Sequence, residues 1–402
     1  MNLKKKLVGR ILVITSLLTI PFNFIPSLRV SGIPIPFILL GITILYYFNP
    51  LRFSSKLKID SFHLYSLYVF SSLPIFFYSI LKIPQSYLTI TYSVIPFLLH
   101  YLSPKFSIVL LKNIKWLLIG ICIVSVLGWA IRFNIIESTL IFPKSNSGEV
   151  GIGYWGIRYM TSSRNADYLY PLFGAYLCFT KSRKNIFFSF LGVLLILTGI
   201  LSLSRGAILI SAILLIYLIR NVIFASKIKY ILGIFILITI SLIGIKNKTE
   251  VYQKEIGRNI NLKEIIFSIV NGGSEFSNDD RKRIYSASLK EAVYNPFGYG
   301  IDNFKLQSYP RTNSAENAFL TIMIERGWLP SIIFIVFFVA TLSQQYKYKL
   351  KEDIVLTLFL AIYLLVNYEL NNFFTNFLIY FLITTTAADV RVKKRKYNSA
   401  ML

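Results

Sequence analysis

Long apolar runs alternate with short basic segments along most of this 402-residue chain. Twelve runs have the length and composition of membrane-spanning helices, at 11–27, 33–49, 62–81, 86–103, 114–131, 167–180, 186–203, 207–220, 228–245, 316–343, 354–371 and 373–389. A helix needs about 20 apolar residues to cross a hydrocarbon core of ~30 Å. The pattern therefore predicts an all-α, polytopic integral membrane protein with about twelve transmembrane helices. Two polar stretches break the rhythm, 132–166 and 246–315, and both fall on the same predicted side of the membrane. Connections of that length commonly carry function.

The second stretch has its own internal pattern. Its first part, 246–276, is polar with one apolar patch, EIIFSIV, which predicts a helix lying along the lipid surface. Ser277 or Asn278 can then cap a helix over about 280–294, with Asp279 and Asp280 in the first turn, where negative charge suits the helix dipole. Asn295-Pro296 ends it, and Phe297-Gly298-Tyr299-Gly300 reads as a tight turn. The run at 316–343 is interrupted by Glu325-Arg326-Gly327-Trp328-Leu329-Pro330. Two readings stay open there: a helix broken within the membrane, or a surface helix followed by a span starting at Leu329. The chain divides on this pattern into N-terminal membrane helices (1–185), a core (186–345) and C-terminal helices with a basic tail (346–402).

Charge then orients the helices. The chain carries 43 Lys and Arg against 18 Asp and Glu, a net of +25. With both termini in the cytoplasm, the inside segments hold 24 basic and 4 acidic residues, which leaves 19 basic and 14 acidic for the outside. Inside loops rich in Lys and Arg are what membrane insertion favours. The basicity is thus explained by topology and excludes a nucleic-acid partner. The basic N-terminus and first apolar run resemble a signal peptide but lack a small-residue cleavage site, which predicts an uncleaved first helix. Cys122 and Cys178 fall inside apolar runs, and His63 and His100 sit far apart, so neither a disulfide framework nor a metal site is expected.

Ionisable residues at membrane depth mark functional sites or structural ion pairs. On the predicted outer half these are Asp167, Arg205 in SLSRG, Glu316, Glu325 and Glu369.

Four segments, in order, are similar to the recurring pattern of the O-antigen polymerase and O-antigen ligase superfamily, polytopic glycosyltransferases of the GT-C class. That pattern is roughly SxSRG, RxxxWxxxL, NPxFGxGxxxF and HNxxLxxLxExGxxG. Ser202, Ser204, Arg205 and Gly206 fill the first, and Arg281, Tyr285 and Leu289 the second, with Tyr in place of Trp. Asn295, Pro296, Phe297, Gly298, Gly300 and Phe304 fill the third, one residue tighter. Asn317, Leu320, Glu325 and Gly327 fill the fourth, where Glu316 replaces the usual His and Trp328-Leu329-Pro330 replaces a Gly-rich ending.

The resemblance implies a GT-C-like bundle that moves a glycan from undecaprenyl pyrophosphate to a sugar hydroxyl. Such an enzyme would sit in the bacterial inner membrane with its active face periplasmic or extracellular. It implies Arg205 and Arg281 on the diphosphate, since a guanidinium fork binds two phosphate oxygens and stays charged, and Glu316 as proton acceptor. Arg158 or Arg164 (followed by Asn165), Asn317, Tyr285 and Glu325 are the expected substrate-binding residues. Tyr154, Trp155 and Tyr170 are candidates for stacking on sugars. No cofactor or metal is expected. Lipid-linked oligosaccharide and membrane lipid are the expected partners, with a chain-length regulator protein as a further one. Polymerisation of repeat units is the leading reading. Alternatives are the ligase reaction, a lipid-linked sugar flippase and a non-catalytic assembly protein. The flippase predicts paired repeats, and this chain shows none.

Overall fold

The computed structural model describes residues 3–22, 29–30, 33–47, 61–82, 90–91, 93–94, 104–132, 168–181, 186–200, 205–223, 275–301, 317–366 and 373–399. These form α1 (Leu3–Thr19), α2 (Ile35–Tyr47), α3 (Ser61–Lys82), α4 (Pro104–Asn113), α5 (Lys115–Arg132), α6 (Leu169–Lys181), α7 (Ile186–Ile200) and α8 (Arg205–Ile223). There follow α9 (Glu275–Tyr294), α10 (Ala318–Arg326), α11 (Trp328–Lys347), α12 (Lys351–Val366) and α13 (Phe373–Ser399). A 3-10 turn, Ile20–Phe22, and a two-residue antiparallel pairing of Arg29–Val30 with Ile33–Pro34 complete an otherwise all-helical architecture.

Several helices start where proline permits. Pro36, Pro104, Pro171 and Pro330 each lie in a first turn, where a missing N–H breaks no helical bond. Among the described residues, two helices are both long and apolar enough to cross a membrane, His63–Lys82 and Trp328–Lys347. Leu7–Phe22, Ile35–Tyr47, Lys115–Ala130, Leu169–Thr180, Phe187–Ile200 and Gly206–Arg220 are apolar but shorter. The run expected at 228–245 and most of that at 86–103 lie outside the described residues, as do the patch EIIFSIV, the loop 132–166 beyond its first residue, and His100. Three boundaries differ from expectation. The segment 104–115, expected as an inside loop, is largely the helix α4. α9 begins at Glu275 rather than near 280, so Ser277 and Asn278 lie inside it. α13 runs on to Ser399 rather than stopping at 389, because Lys and Arg are good helix formers.

The core is aromatic. Tyr65, Tyr68, Tyr168, Tyr170, Phe173, Phe334, Phe337, Tyr363 and Tyr380 are fully buried. α6 packs closely on α7: Gly192 and Gly199, seven residues apart, leave room for the ring of Phe179 and the side chain of Leu172. α3 and α11 are antiparallel, with Tyr65 against Phe337 at 5.6 Å and Tyr68 against Phe334 at 4.7 Å between ring centroids. α11 and α12 are joined near their far ends by a buried polar chain. Thr357 donates to Gln345 Oε1 (2.8 Å), and Gln345 Nε2 donates to Thr386 of α13 (2.8 Å). The opposite faces of α3 and α11 expose Leu67, Phe70, Phe77 and Leu81, and Leu329, Ile332 and Val339. A mean hydropathy of +0.60 accompanies these exposed apolar faces, as expected of helices that meet lipid.

Candidate functional site

The interruption between α10 and α11 is a sharp reversal, not a kink. Phe319 of α10 packs against Phe334 (5.6 Å) and Phe338 (5.9 Å) of α11, and Ser331 Oγ donates to the Phe319 carbonyl (3.2 Å). α10 therefore folds back along α11, with Gly327 at the apex. The interruption expected at 325–330 falls at Gly327, and α10 packs on α11 rather than lying apart from it.

The NPFGYG turn caps that apex. Tyr299 N donates to the Ile324 carbonyl (2.8 Å), Gly300 N to that of Glu325 (3.0 Å), and Trp328 N to that of Pro296 (2.9 Å). A helix end leaves its last carbonyls without partners, and here a separate motif supplies them. The approach is backbone to backbone. A Cβ on Gly298 would lie 2.6 Å from the Glu325 carbonyl oxygen, and one on Gly327 would lie 2.6 Å from that of Pro296. Both glycines, and Gly300, also hold positive φ. Asn295 Nδ2 closes the turn onto the Gly298 carbonyl (3.0 Å), and Trp328 Nε1 reaches the Ala292 carbonyl (2.7 Å). Ile301 N donates to Ser79 Oγ of α3 (2.8 Å).

At the other end of α10, Asn317 is the N-cap. Its Oδ1 accepts from Phe319 N (2.9 Å) and Leu320 N (3.1 Å), and its Nδ2 donates to the Leu365 carbonyl of α12 (3.1 Å). The expected substrate-binding amide thus holds two helix termini together. Beside it, a Cβ on Gly206 would lie within 3.4 Å of Val366. The start of α8, and with it position 205, therefore meets the same end of α12. This meeting point is recessed. Gln345 and Thr357 are level; from there α11 runs 17 residues to Trp328 while α12 runs only 8 to Leu365. At about 1.5 Å per residue, the end of α12 lies roughly 13 Å short of the Trp328 end of α11.

α9 and α10 both end at the apex, and Ile284 and Ala292 pack with Leu320, Met323 and Ile324. Position 281 lies on the same helical face as Ile284, Ser288 and Ala292, the face turned to α10. Tyr285 is half-buried beside that face, and Leu289 is exposed. Backbone placement thus gathers three expected segments, at 205, 281 and 317, around α10 and the end of α12. Glu316, Arg158, Arg164, Tyr154, Trp155, Asp167 and Glu369 lie outside the described residues. Glu325 is buried at the apex end of α10, one helix length from Asn317. Tyr170 is core, stacked on Phe374 at 4.1 Å.

Arg326 was not singled out by its sequence. It is 3% exposed; Nη1 donates to the Tyr68 hydroxyl and Nη2 to Ser93 Oγ (2.9 Å). Its guanidinium lies 5.4 Å from the Tyr68 ring and 5.0 Å from that of Phe76. It ties the apex to α3 across 258 residues of sequence. The only available signal was a charge inside an apolar run. Among the described residues no cluster of three His, Cys, Asp or Glu could hold a metal ion.

Comparison with known proteins adds one finding on identity. No curated protein matches the chain. Residues 190–335 match the family model described as O-antigen ligase, a span that takes in α8, α9, the turn, the α10–α11 reversal and the motif residues on them. The match supports the O-antigen ligase and polymerase superfamily, a family of bacterial membrane proteins, for residues 190–335, the span that carries the four motifs in order.

Proposed function

We propose that this protein polymerises lipid-linked oligosaccharide repeat units of a surface polysaccharide, O-antigen or capsule, within the ligase- and polymerase-type function that its family supports. The observation that carries this reading is the convergence of positions 205, 281 and 317 around a recessed helix end. In the proposed reaction the hydroxyl oxygen of one lipid-linked unit attacks the anomeric carbon of the growing chain. The bond from that carbon to the diphosphate oxygen breaks, and undecaprenyl pyrophosphate leaves with the electron pair. Arg205 and Arg281 hold the diphosphate and stabilise the charge growing on its departing oxygen, a contribution of roughly 3–4 kcal/mol for one well-placed donor. Glu316 takes the acceptor proton. Arg158 or Arg164, with Tyr285, contacts the sugars. Glu325 supports the apex beside Arg326.

The reading places residues 186–345 at the catalytic core of a roughly twelve-span bundle in the inner membrane. Both termini are cytoplasmic and the site faces outward. A recess roughly 13 Å below the outer end of α11 suits a donor whose diphosphate sits at the lipid surface and whose tail stays in the bilayer. A chain-length regulator would act on the same outer face.

Deletion separates polymerase from ligase. Loss of a polymerase leaves single repeat units on their final acceptor. Loss of a ligase strands long chains on the lipid carrier, and that outcome would overturn the polymerase reading while keeping the family.

A further inference from the structure

We infer that Thr321 of α10 and Thr375 of α13 hold the diphosphate of the lipid-linked donor, over the recessed end of α12. For the identity of that anion the inference rests on the proposed reaction; the geometry stands apart from it.

Both hydroxyls are buried without a partner. Thr321 is 6% exposed and Thr375 is fully buried, and neither Oγ1 makes a hydrogen bond. Buried polar side chains are nearly always paired, and an orphan needs a reason. Other buried threonines in these helices bond back to a carbonyl one turn earlier, as Thr341 and Thr357 do. Thr375 lies in the first turn of α13, with no helical carbonyl before it, and the Asn317 carbonyl accepts the Thr321 amide instead. Valine would fill either position without stranding a hydroxyl.

The two side chains face one place. On α10, Phe319 turns to α11, while Leu320 and Ile324 turn to α9. Thr321 follows Asn317 by four residues, so it lies one turn further along the face that meets α12. On α13, Phe374 and Phe381 turn to Tyr170 and Phe173 of α6. Thr375 precedes Thr386 by about three helical turns and shares its face, the one that meets Gln345 of α11. Their levels agree as well. At about 1.5 Å per residue, Thr375 lies roughly 16 Å from Thr386 toward the Trp328 end of α11. Leu365 lies roughly 12 Å from Thr357 in the same direction, and one turn of α10 beyond the Asn317–Leu365 bond brings Thr321 to roughly 18 Å. α12 ends at Val366, short of both. From α10 and α13, which both pack on α12, the hydroxyls look over its end.

The electrostatics there suit an anion. Three helices, α8, α10 and α13, begin at this junction, with Gly206 against Tyr168 and Val366, Asn317 on Leu365, and Phe374 on Tyr170. Each start carries partial positive charge and amides with no intrahelical acceptor. Asn317 takes two amides of α10. In the inferred site α8 and α13 supply the backbone donors, the arrangement by which helix starts receive phosphate oxygens. Position 205 stands at the start of α8.

Titration of undecaprenyl pyrophosphate into protein in phosphatidylcholine nanodiscs tests this. Thr321→Val and Thr375→Val should each weaken binding about tenfold or more, the worth of a hydrogen bond to a charged group. Both should melt at or above the wild-type temperature, and Thr321→Ser and Thr375→Ser should bind as wild type. Wild-type affinity in either valine variant overturns the inference, as does an affinity loss that serine fails to restore. Arg205→Ala separates the two claims. Binding lost there but kept in the valine variants sinks only the threonines; no binding by the wild-type protein sinks the proposed reaction with them. Should a valine variant not purify, the unaltered protein gives a second readout. Amide hydrogen exchange at 318–321 and 373–376 should slow when the carrier is added, and unchanged exchange overturns the inference. Equal slowing by phosphatidylglycerol would make this a site for any lipid phosphate and overturn the assignment to the donor.

Discussion

Replacing Gly327 with alanine perturbs the reversal at the point where two motifs meet. Gly327 has φ 94° and ψ 176°, a conformation that L side chains rarely adopt and that costs about 1–3 kcal/mol when forced on them. The new Cβ would also sit 2.6 Å from the Pro296 oxygen and 2.8 Å from the Phe297 carbonyl carbon. Both are backbone atoms of the turn, so no side chain can swing aside. The turn must retreat, and three hydrogen bonds cross the gap it would open. An orphaned buried amide or carbonyl costs about 1–3 kcal/mol. Strain with the loss of one such bond therefore comes to about 2–6 kcal/mol. The assay is the apparent melting temperature of purified protein in detergent, beside glycan length in cells at matched membrane abundance. Gly41→Ala is the control: nothing lies within 4 Å of its Cβ position on α2, and alanine there should stabilise by about 0.5–1 kcal/mol. If Gly327→Ala melts with the wild type while retaining full glycan length, the close approach of turn and apex is not what holds this region together.

Two further predictions follow from buried groups. Arg326→Lys should destabilise nearly as much as Arg326→Met, because the ammonium cannot keep both the Tyr68 and Ser93 bonds, each worth about 1–3 kcal/mol once a partner is orphaned; equal melting of Arg326→Lys and wild type would contradict this. Asp353, at the loop end of α12, has its carboxyl pushed up to about 7, first by burial and then by Asp389 nearby. A raised carboxyl binds a proton more tightly folded than unfolded. Its stabilising contribution is complete below the ordinary value near 3.8 and is lost as pH rises through about 7. Melting measured from pH 5 to pH 8 should therefore fall more steeply for wild type than for Asp353→Asn, and parallel curves would refute the assignment.

Much of the helical order was readable because lipid and aromatic packing both demand apolar runs. The run 114–131 coincides with α5 and 186–203 with most of α7. α4 was hidden because Lys105 and Lys112 made 104–115 look like a loop, although Pro104 is a good first residue for a helix. The motif glycines were visible, but not that Gly298 and Gly327 face one another, because backbone contact between distant segments leaves no local pattern. Asn317 could have been read as a cap, since it precedes an apolar helical run; its motif position drew attention to substrate instead. Arg326 was least legible of all, its partners Tyr68 and Ser93 lying more than 200 residues away.

The central claim is that guanidinium groups near the recessed end of α12 hold the lipid diphosphate during transfer. The most direct measurement is the glycan size ladder of cells carrying Arg205→Ala, with membrane abundance equal to wild type. The account predicts collapse of the ladder to single repeat units. A wild-type ladder from that strain would contradict it.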